Sequence, residues 1–471
     1  MNTKVTAGVV LTVATLLTAQ RAGNVAANPN VLFIEVDDLN HWVTHLGRNK
    51  QVMTPNIDRL AKMGVTFSRA YAAAPVCNPS RAALMSGLRP STTGVYDNNI
   101  DWRPAIPQDI TLVTQFRRHG YRAFGAGKIY HESFSRHEEW DDYYRERAGQ
   151  CNLLNATDGV GGIKFSPVDC GDEGISDHGI ASYGIEQLQR KHDKPFFLSI
   201  GFHKPHMPWN VPKKYFDMYP LDTIELPPYR EDDLIDIPPA GVKMARGPGS
   251  NSPGKPSDHE LMLKSGRWKE AVQAYLAAIS YVDGQVGRLL DALDKSEYRD
   301  STIIVLFGDH GWSLGEKHHW RKFALWEEPT RAPLIWVAPG VTKAGTTSGR
   351  IVDFMSIFPT LADLCGLPTP GHVKGVSIRK LLADPHAEWT GVALTTHGFK
   401  NHAVRTPEWR YIRYANGDEE LYDETKDPYE WTNLARDGRH GGVKAELAKL
   451  LPKMDAEPGR RHTNAAGNRN R

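Results

Sequence analysis

The chain lacks a charge imbalance. Its 471 residues carry 57 Lys and Arg against 55 Asp and Glu, a net charge of +2. That balance gives no overall field for nucleic acid or an acidic membrane, although a local basic pocket for a small anion remains open. Long apolar runs are scarce too. The stretch from Ala7 to Ala19 falls short of the ~20 residues of a membrane span, and no later segment does better. With Lys4 before it and Val25-Ala26-Ala27 after it, this stretch reads as a secretory signal peptide over residues 1–27. The protein is therefore expected to be exported, periplasmic or secreted (lysosomal in a eukaryote), with no membrane span and no nucleic-acid partner. Cysteines number four, at 77, 151, 170 and 365, and allow three full pairings among which spacing cannot choose. No repeat of solenoid period is present. A hydrophobic share of 40% and a charged share of 24% exclude wholesale disorder.

Several apolar segments punctuate the chain. Asn30 to Val36, Pro195 to Ile200, Thr302 to Phe307 and Pro333 to Val337 are near-continuous and rich in β-branched residues, as in strands buried on both faces. Thr54 as N-cap, Pro55 at the first helical position and Gly64 past the end mark a short helix. Val272, Leu276, Ile279, Val286, Leu290 and Leu293 stand at helical spacing. Strands alternating with helices predict an α/β fold with a large, mostly parallel central sheet flanked by helices. Asp222 to Ser265, rich in Pro, Gly and charge, reads as a long surface insertion near the site. Beyond Gly371 the texture changes: Trp409 to Tyr414 and Glu420 to Tyr422 flank Asn416-Gly417, a hairpin signal. The expected organisation is a catalytic domain over 28–370, a small antiparallel-sheet subdomain over 371–457 and a disordered tail over 458–471.

Two acidic features end expected strands: Asp37-Asp38 after Val36, and Asp309-His310 after Phe307-Gly308. In open α/β sheets, sites lie beyond the carboxyl ends of the strands. Three carboxylates gathered there repel one another unless a cation neutralises them, and oxygen ligands suit Ca²⁺ or Mg²⁺. The third feature is Cys77-Asn78-Pro79-Ser80-Arg81. At this Cys-x-Pro-Ser-Arg motif the sequence resembles the type I, formylglycine-dependent sulfatases of the alkaline-phosphatase-like superfamily. The likeness continues through Asn30 to Asp38, Thr54 to Ala61, Gly127-Lys128-Ile129-Tyr130-His131, His203-Lys204-Pro205-His206-Met207-Pro208, Asp309 to Glu316 with Lys322, and Glu420 to Asp423. Within the family it is most similar to iduronate-2-sulfatase-like enzymes, through Pro75-Val76-Cys77, Pro90 to Thr93, Gly201 to His206 and Ser280 to Asp283.

The resemblance implies oxidation of Cys77 to formylglycine (3-oxoalanine) by a separate maturation enzyme, and one Ca²⁺ held by Asp37, Asp38, residue 77, Asp309 and His310. It implies that a hydroxyl of the hydrated aldehyde attacks sulfur in line beside Arg81, with Asp309 able to take its proton. Lys128 and Lys322 bind sulfate oxygens, His206 protonates the leaving alcohol, and His131 takes the proton that lets sulfate depart. Asn99, His203 and Trp312 are candidate substrate contacts. Cys151 and Cys170 fall where the group has a disulfide, which leaves Cys365 as a buried thiol. Gly94 stands where the lysosomal member of the group has an arginine, so specificity does not transfer with the motif. The implied activity is hydrolysis of a sulfate ester on a carbohydrate, from a glycosaminoglycan or an algal polysaccharide. The alternatives are a phosphate or phosphonate ester hydrolase on the same fold, and a non-catalytic glycan-binding relative.

Overall fold

The computed structural model describes residues 28–145, 151, 158–247 and 254–461. The expected signal peptide and residues 462–471 of the tail lie outside these. An eight-stranded sheet runs through the core in the order Thr346–Ser348, Val65–Phe67, Leu334–Val337, Thr302–Gly308, Asn30–Val36, Phe196–Phe202, Arg122–Gly127, Asp142–Tyr144. Every neighbouring pair is parallel except the two made by Leu334–Val337, which runs against Thr302–Gly308 and Val65–Phe67. An apolar run predicts a buried strand but carries no information on its direction.

The central strands are apolar throughout because both faces are covered. Leu32, Ile34 and Val36 enter one core, with the helices Pro55–Met63, Ser176–Gln189 and Trp268–Lys295. Val31 and Phe33 enter the other, with Cys77–Ser86, Leu112–Arg118 and Ile357–Leu364. Registers level the strand ends: Val36 pairs with both Phe202 and Gly308, and Gly127 pairs with Gly201. Four neighbouring parallel strands therefore release their chains at one rim.

Residues 393–423 form an antiparallel meander, Ala393–Thr396, His402–Arg405, Trp409–Arg413 and Glu419–Asp423, whose last hairpin turns at Asn416-Gly417. It is joined to the main body through buried charge. Arg410 meets Glu424 and Glu430 from the C-terminal region and Glu327 from the main body. The expected disordered tail begins otherwise: Gly459 N–H donates to Gly94 O at 3.0 Å, and Arg461 pairs with Asp97 at 2.9 Å. A Cβ at Gly94 would stand 2.3 Å from Glu457 O, so glycine there lets the C-terminal segment lie close.

Helix Pro55–Met63 corrects a capping expectation. Thr54 makes no side-chain cap; its Oγ1 accepts instead from Thr44 N–H at 2.9 Å. The cap comes from Asp283 on the long helix, whose carboxylate accepts from Asn56 N–H at 3.1 Å and Ile57 N–H at 2.8 Å. Asp283→Ala is expected to cost about 1–3 kcal/mol of unfolding free energy, by leaving buried donors unpaired. Denaturant titration against the parent checks this, and an unchanged midpoint would refute the cap.

Candidate active site

The rim carries the chemistry. Asp37 and Asp38 leave Asn30–Val36, Asp309 and His310 leave Thr302–Gly308, Lys128 leaves Arg122–Gly127, and His203 to His206 leave Phe196–Phe202. Two glycines let the last two strand ends approach. Gly127 has φ 73°, and a Cβ there would meet Gly201 O at 2.1 Å; a Cβ on Gly201 would meet Lys128 O at 2.1 Å. Cys77 opens helix Cys77–Ser86, every residue of which is buried.

Around Cys77 the charges interlock. Lys322 Nζ lies 2.8 Å from Cys77 Sγ and 2.6 Å from Asp38 Oδ1. Lys128 Nζ lies 3.9 Å from Sγ and pairs with Asp37. Arg81 reaches Asp309 at 3.0 Å, Glu35 at 3.1 Å and Asp37 at 3.2 Å. His310 Nε2 is 3.4 Å from Sγ and 3.3 Å from Asp38, while its Nδ1 faces Gly311 O at 2.9 Å. That second contact fixes the tautomer and leaves Nε2 with its lone pair toward the cluster. His206 Nε2 stands 3.9 Å from Asp38, and its Nδ1 donates to Met207 O at 2.6 Å.

Burial governs the ionisation here. It pushes the Cys77 thiol well up, helped by Asp37, so the sulfur is a protonated, poor nucleophile. Burial, with Asp37 and Asp309 nearby, raises Asp38 to about 7 despite Lys322. Burial would raise Asp37 as well, but Lys128, Arg81 and Lys322 hold it well below the carboxylate range. Lys128 and Lys322 resist the same desolvation because carboxylates face them, and both stay protonated. Burial lowers His310 to about 4 and, with Lys128 adding to it, His131 to about 3.

The donor set suits a hard cation. Ligand atoms of Asp37, Asp38, Cys77 and His206, and of Asp37, Cys77, Asp309 and His310, lie within 4.8 Å of one another. Asp38 Oδ2 is buried with no hydrogen-bond partner. A buried, unsatisfied carboxylate oxygen facing further carboxylates is a site short of positive charge.

The expected residues sort clearly. Asp37, Asp38, Cys77, Arg81, Lys128, His206, Asp309, His310 and Lys322 converge. His131 is close enough for Lys128 and Asp37 to shift its titration. His203 sits just outside, its N–H donating to Asp177 at 2.8 Å. Asn99 is exposed and lines a neighbouring recess. Trp312 is 1% exposed and packs on Trp209 and Tyr275, with Lys322 Nζ 5.7 Å from its ring centroid. Cys151 and Cys170 are joined as a disulfide, and Cys365 is a buried free thiol. Sequence reading missed Glu35, whose signal was a charge inside an otherwise apolar strand. It also missed Lys204, whose Nζ donates to Pro208 O at 2.5 Å and so braces the loop of His206.

A strained turn places Lys322. Lys317, His318, Arg321 and Phe323 all have φ between 51° and 78°. Such residues cost on the order of 1–3 kcal/mol each and persist only where their surroundings hold them. The holding partners come from the Asp222–Ser265 segment. Asp233 pairs with Lys317 at 2.8 Å, Arg230 O meets His318 at 2.8 Å, Ala245 O meets His319 at 2.9 Å, and Asp258 pairs with Arg321 at 2.7 Å. The segment read as a surface insertion also contains helices Pro239–Arg246 and Asp258–Ser265.

The chain belongs to the sulfatase family, whose pattern it matches over residues 29–367, and residues 315–457 match the N-sulphoglucosamine sulphohydrolase C-terminal family. It is a sulfuric ester hydrolase on the alkaline-phosphatase-like fold. A sulfatase of Formosa agariphila is 41% identical over 455 residues, covering 91% of this chain and 87% of that one. Human iduronate 2-sulfatase is 33% identical over 397 residues, covering 72% and 70%. The phosphonate monoester hydrolase of Agrobacterium radiobacter shares the fold at a TM-score of 0.76 and 23% identity, over 90% of this chain and 94% of that one.

Arg321→Met tests the clamp on the strained turn. The lost, partly exposed ion pair is expected to change stability by less than about 1 kcal/mol, while turnover falls several-fold as Lys322 loosens. Thermal denaturation and kcat, measured on the same preparation, check both halves.

Proposed function

We propose that this sulfatase is exported and removes a sulfate ester from a sulfated carbohydrate, using formylglycine made from Cys77 beside one calcium ion. The observation that carries the reading is the position of Cys77. It is fully buried, at a helix start, 2.8 Å from a protonated lysine and enclosed by carboxylates and cations. A thiol held protonated there serves poorly as a thiolate nucleophile. Oxidised to formylglycine, residue 77 supplies a hydrated aldehyde in place of the thiol. Its complete burial also means that a maturation enzyme must reach it before the chain folds.

Asp37, Asp38, Asp309 and His310 would hold the cation. Bound there, it supplies the charge that lets a weakly acidic hydroxyl ionise. Arg81 pairs with Asp37 and Asp309 and fixes their orientation. Lys128 and Lys322, both protonated and both facing residue 77, neutralise sulfate oxygens as charge builds in the transition state. His131 is neutral and accepts a proton at the step that releases sulfate. His206 is also neutral in this arrangement, because burial and the two lysines disfavour its charged form. An anionic substrate paired with those lysines removes part of that effect and lets His206 carry a proton to the leaving alcohol.

Export is supported by the N-terminal sequence and the Cys151–Cys170 bridge. No helix of the described residues is long and apolar enough to cross a membrane. A carbohydrate substrate is supported by the likeness to iduronate 2-sulfatase.

Three measurements test the reading. Mass spectrometry of the peptide over Cys77, after expression with a maturation enzyme, is expected to show the aldehyde; thiol alone would count against it. Asp309→Ala is expected to remove bound calcium and at least ~99% of turnover together, since it deletes a ligand and a partner of Arg81. Metal content and activity that both survive would sink the metal assignment. Sulfate and phosphonate esters assayed side by side decide against the shared-fold alternative, with sulfate expected to be preferred.

A further inference from the structure

Asp37 and Asp38 are neighbours in sequence, and along an extended strand neighbouring side chains point to opposite faces. Both nevertheless serve one centre, with a carboxylate oxygen of each within 4.8 Å of the other, of Cys77 Sγ and of His206. The backbone must therefore turn between them. Asp37 still follows the sheet, its N–H donating to Phe202 O at 3.0 Å, and the turn comes at Asp38, whose φ of 60° is left-handed. A residue other than glycine keeps that conformation only where its surroundings hold it.

The hold comes from the long helix Trp268–Lys295, through the fully buried Tyr275. Its hydroxyl donates to Asp38 O at 2.7 Å and accepts from Asn40 N–H at 3.0 Å, clasping the turn from both ends. Asn40, equally buried, carries the tie onward. Its Nδ2 donates to Trp312 O at 3.0 Å, on the loop of Asp309 and His310, and its Oδ1 accepts from Trp42 N–H at 3.0 Å. The Tyr275 ring serves a third loop. It packs on Trp209 with centroids 5.3 Å apart, and Trp209 Nε1–H donates to Pro205 O at 2.7 Å, next to His206. One side chain thus bears on three of the strand-end loops that build the centre. Packing needs only its ring; the hydroxyl satisfies two buried backbone groups of the turn.

We propose that Tyr275, acting with Asn40, is a positioning residue of the cation centre. Its hydroxyl holds Asp38 in the left-handed turn that brings a second carboxylate beside the first, and so sets the affinity for calcium. This rests on the calcium reading above and names what gives that site its shape.

The test titrates metal-stripped protein with calcium by calorimetry and follows amide hydrogen exchange in the same metal-free samples. Tyr275→Phe keeps the ring and deletes the hydroxyl. It is expected to raise the calcium dissociation constant about tenfold to a hundredfold, the scale for a group that orients a metal ligand. Asn40→Leu removes the tie at its other end and carries the same expectation. Tyr281→Phe is the control: it is as deeply buried on the same helix, its hydroxyl donates to Asp172 O at 3.3 Å, and calcium binding is expected to stay within about twofold. Without metal, residues 38–43 and 309–314 of Tyr275→Phe are expected to exchange about tenfold faster than in the parent, with Asn30–Val36 unchanged. Where the parent binds calcium, affinity decides. A Tyr275→Phe value within about twofold of the parent, or an equal loss in Tyr281→Phe, overturns the proposal. Where the parent binds none, the calcium reading falls and exchange decides. Faster exchange confined to the two loops leaves the clasp on Asp38 standing, and unchanged or chain-wide exchange removes it too.

Discussion

The structure depends on charge kept out of water. Glu35, Asp37, Asp38 and Asp309 are fully buried, with Arg81, Lys128 and Lys322 almost as deep. Isolated, any of these would be strongly destabilising; together the three cations offset most of the carboxylate charge over a few ångströms. The cluster persists because rigid elements bring its members together. Four parallel strands end level, two glycines let strand ends close up, and a wholly buried helix presents Cys77 at its first turn. The near-zero net charge of the chain hides this arrangement, since positive and negative groups are concentrated at the same place.

A second buried network ties the C-terminal sheet to this centre. Arg410 joins Glu327, Glu424 and Glu430, and Trp312 N–H, two residues beyond His310, donates to Glu328 O at 3.0 Å. The insertion completes the frame by holding the turn that presents Lys322. The small sheet and the insertion thus border the recess and fix the catalytic loops from behind.

Much of this was legible in the chain. Apolar runs marked the central strands because both of their faces are buried, and Asp37-Asp38 and Asp309-His310 stood where such strands end. Gly417 marked its hairpin because a positive φ was needed. What stayed hidden was set by partners distant in sequence. Asp283 displaced Thr54 as the cap of a helix more than two hundred residues upstream. Nothing in the sequence showed that Trp312 fills the space beneath Lys322. The direction of Leu334–Val337 was invisible, since a strand buried on both faces reads the same either way. The recess that Asn99 lines was hidden for the same reason, as its wall is assembled from stretches far apart in the sequence.

The spread of the site along the chain has a consequence for biogenesis. Asp37 and Asp38 emerge early in synthesis, while Lys322, which shields Asp38, comes nearly three hundred residues later. Until it arrives, the central sheet would have to bury carboxylates without one of their counter-charges. An unfinished or truncated chain therefore has reason to stay open, which keeps Cys77 within reach of other proteins for as long as translation lasts.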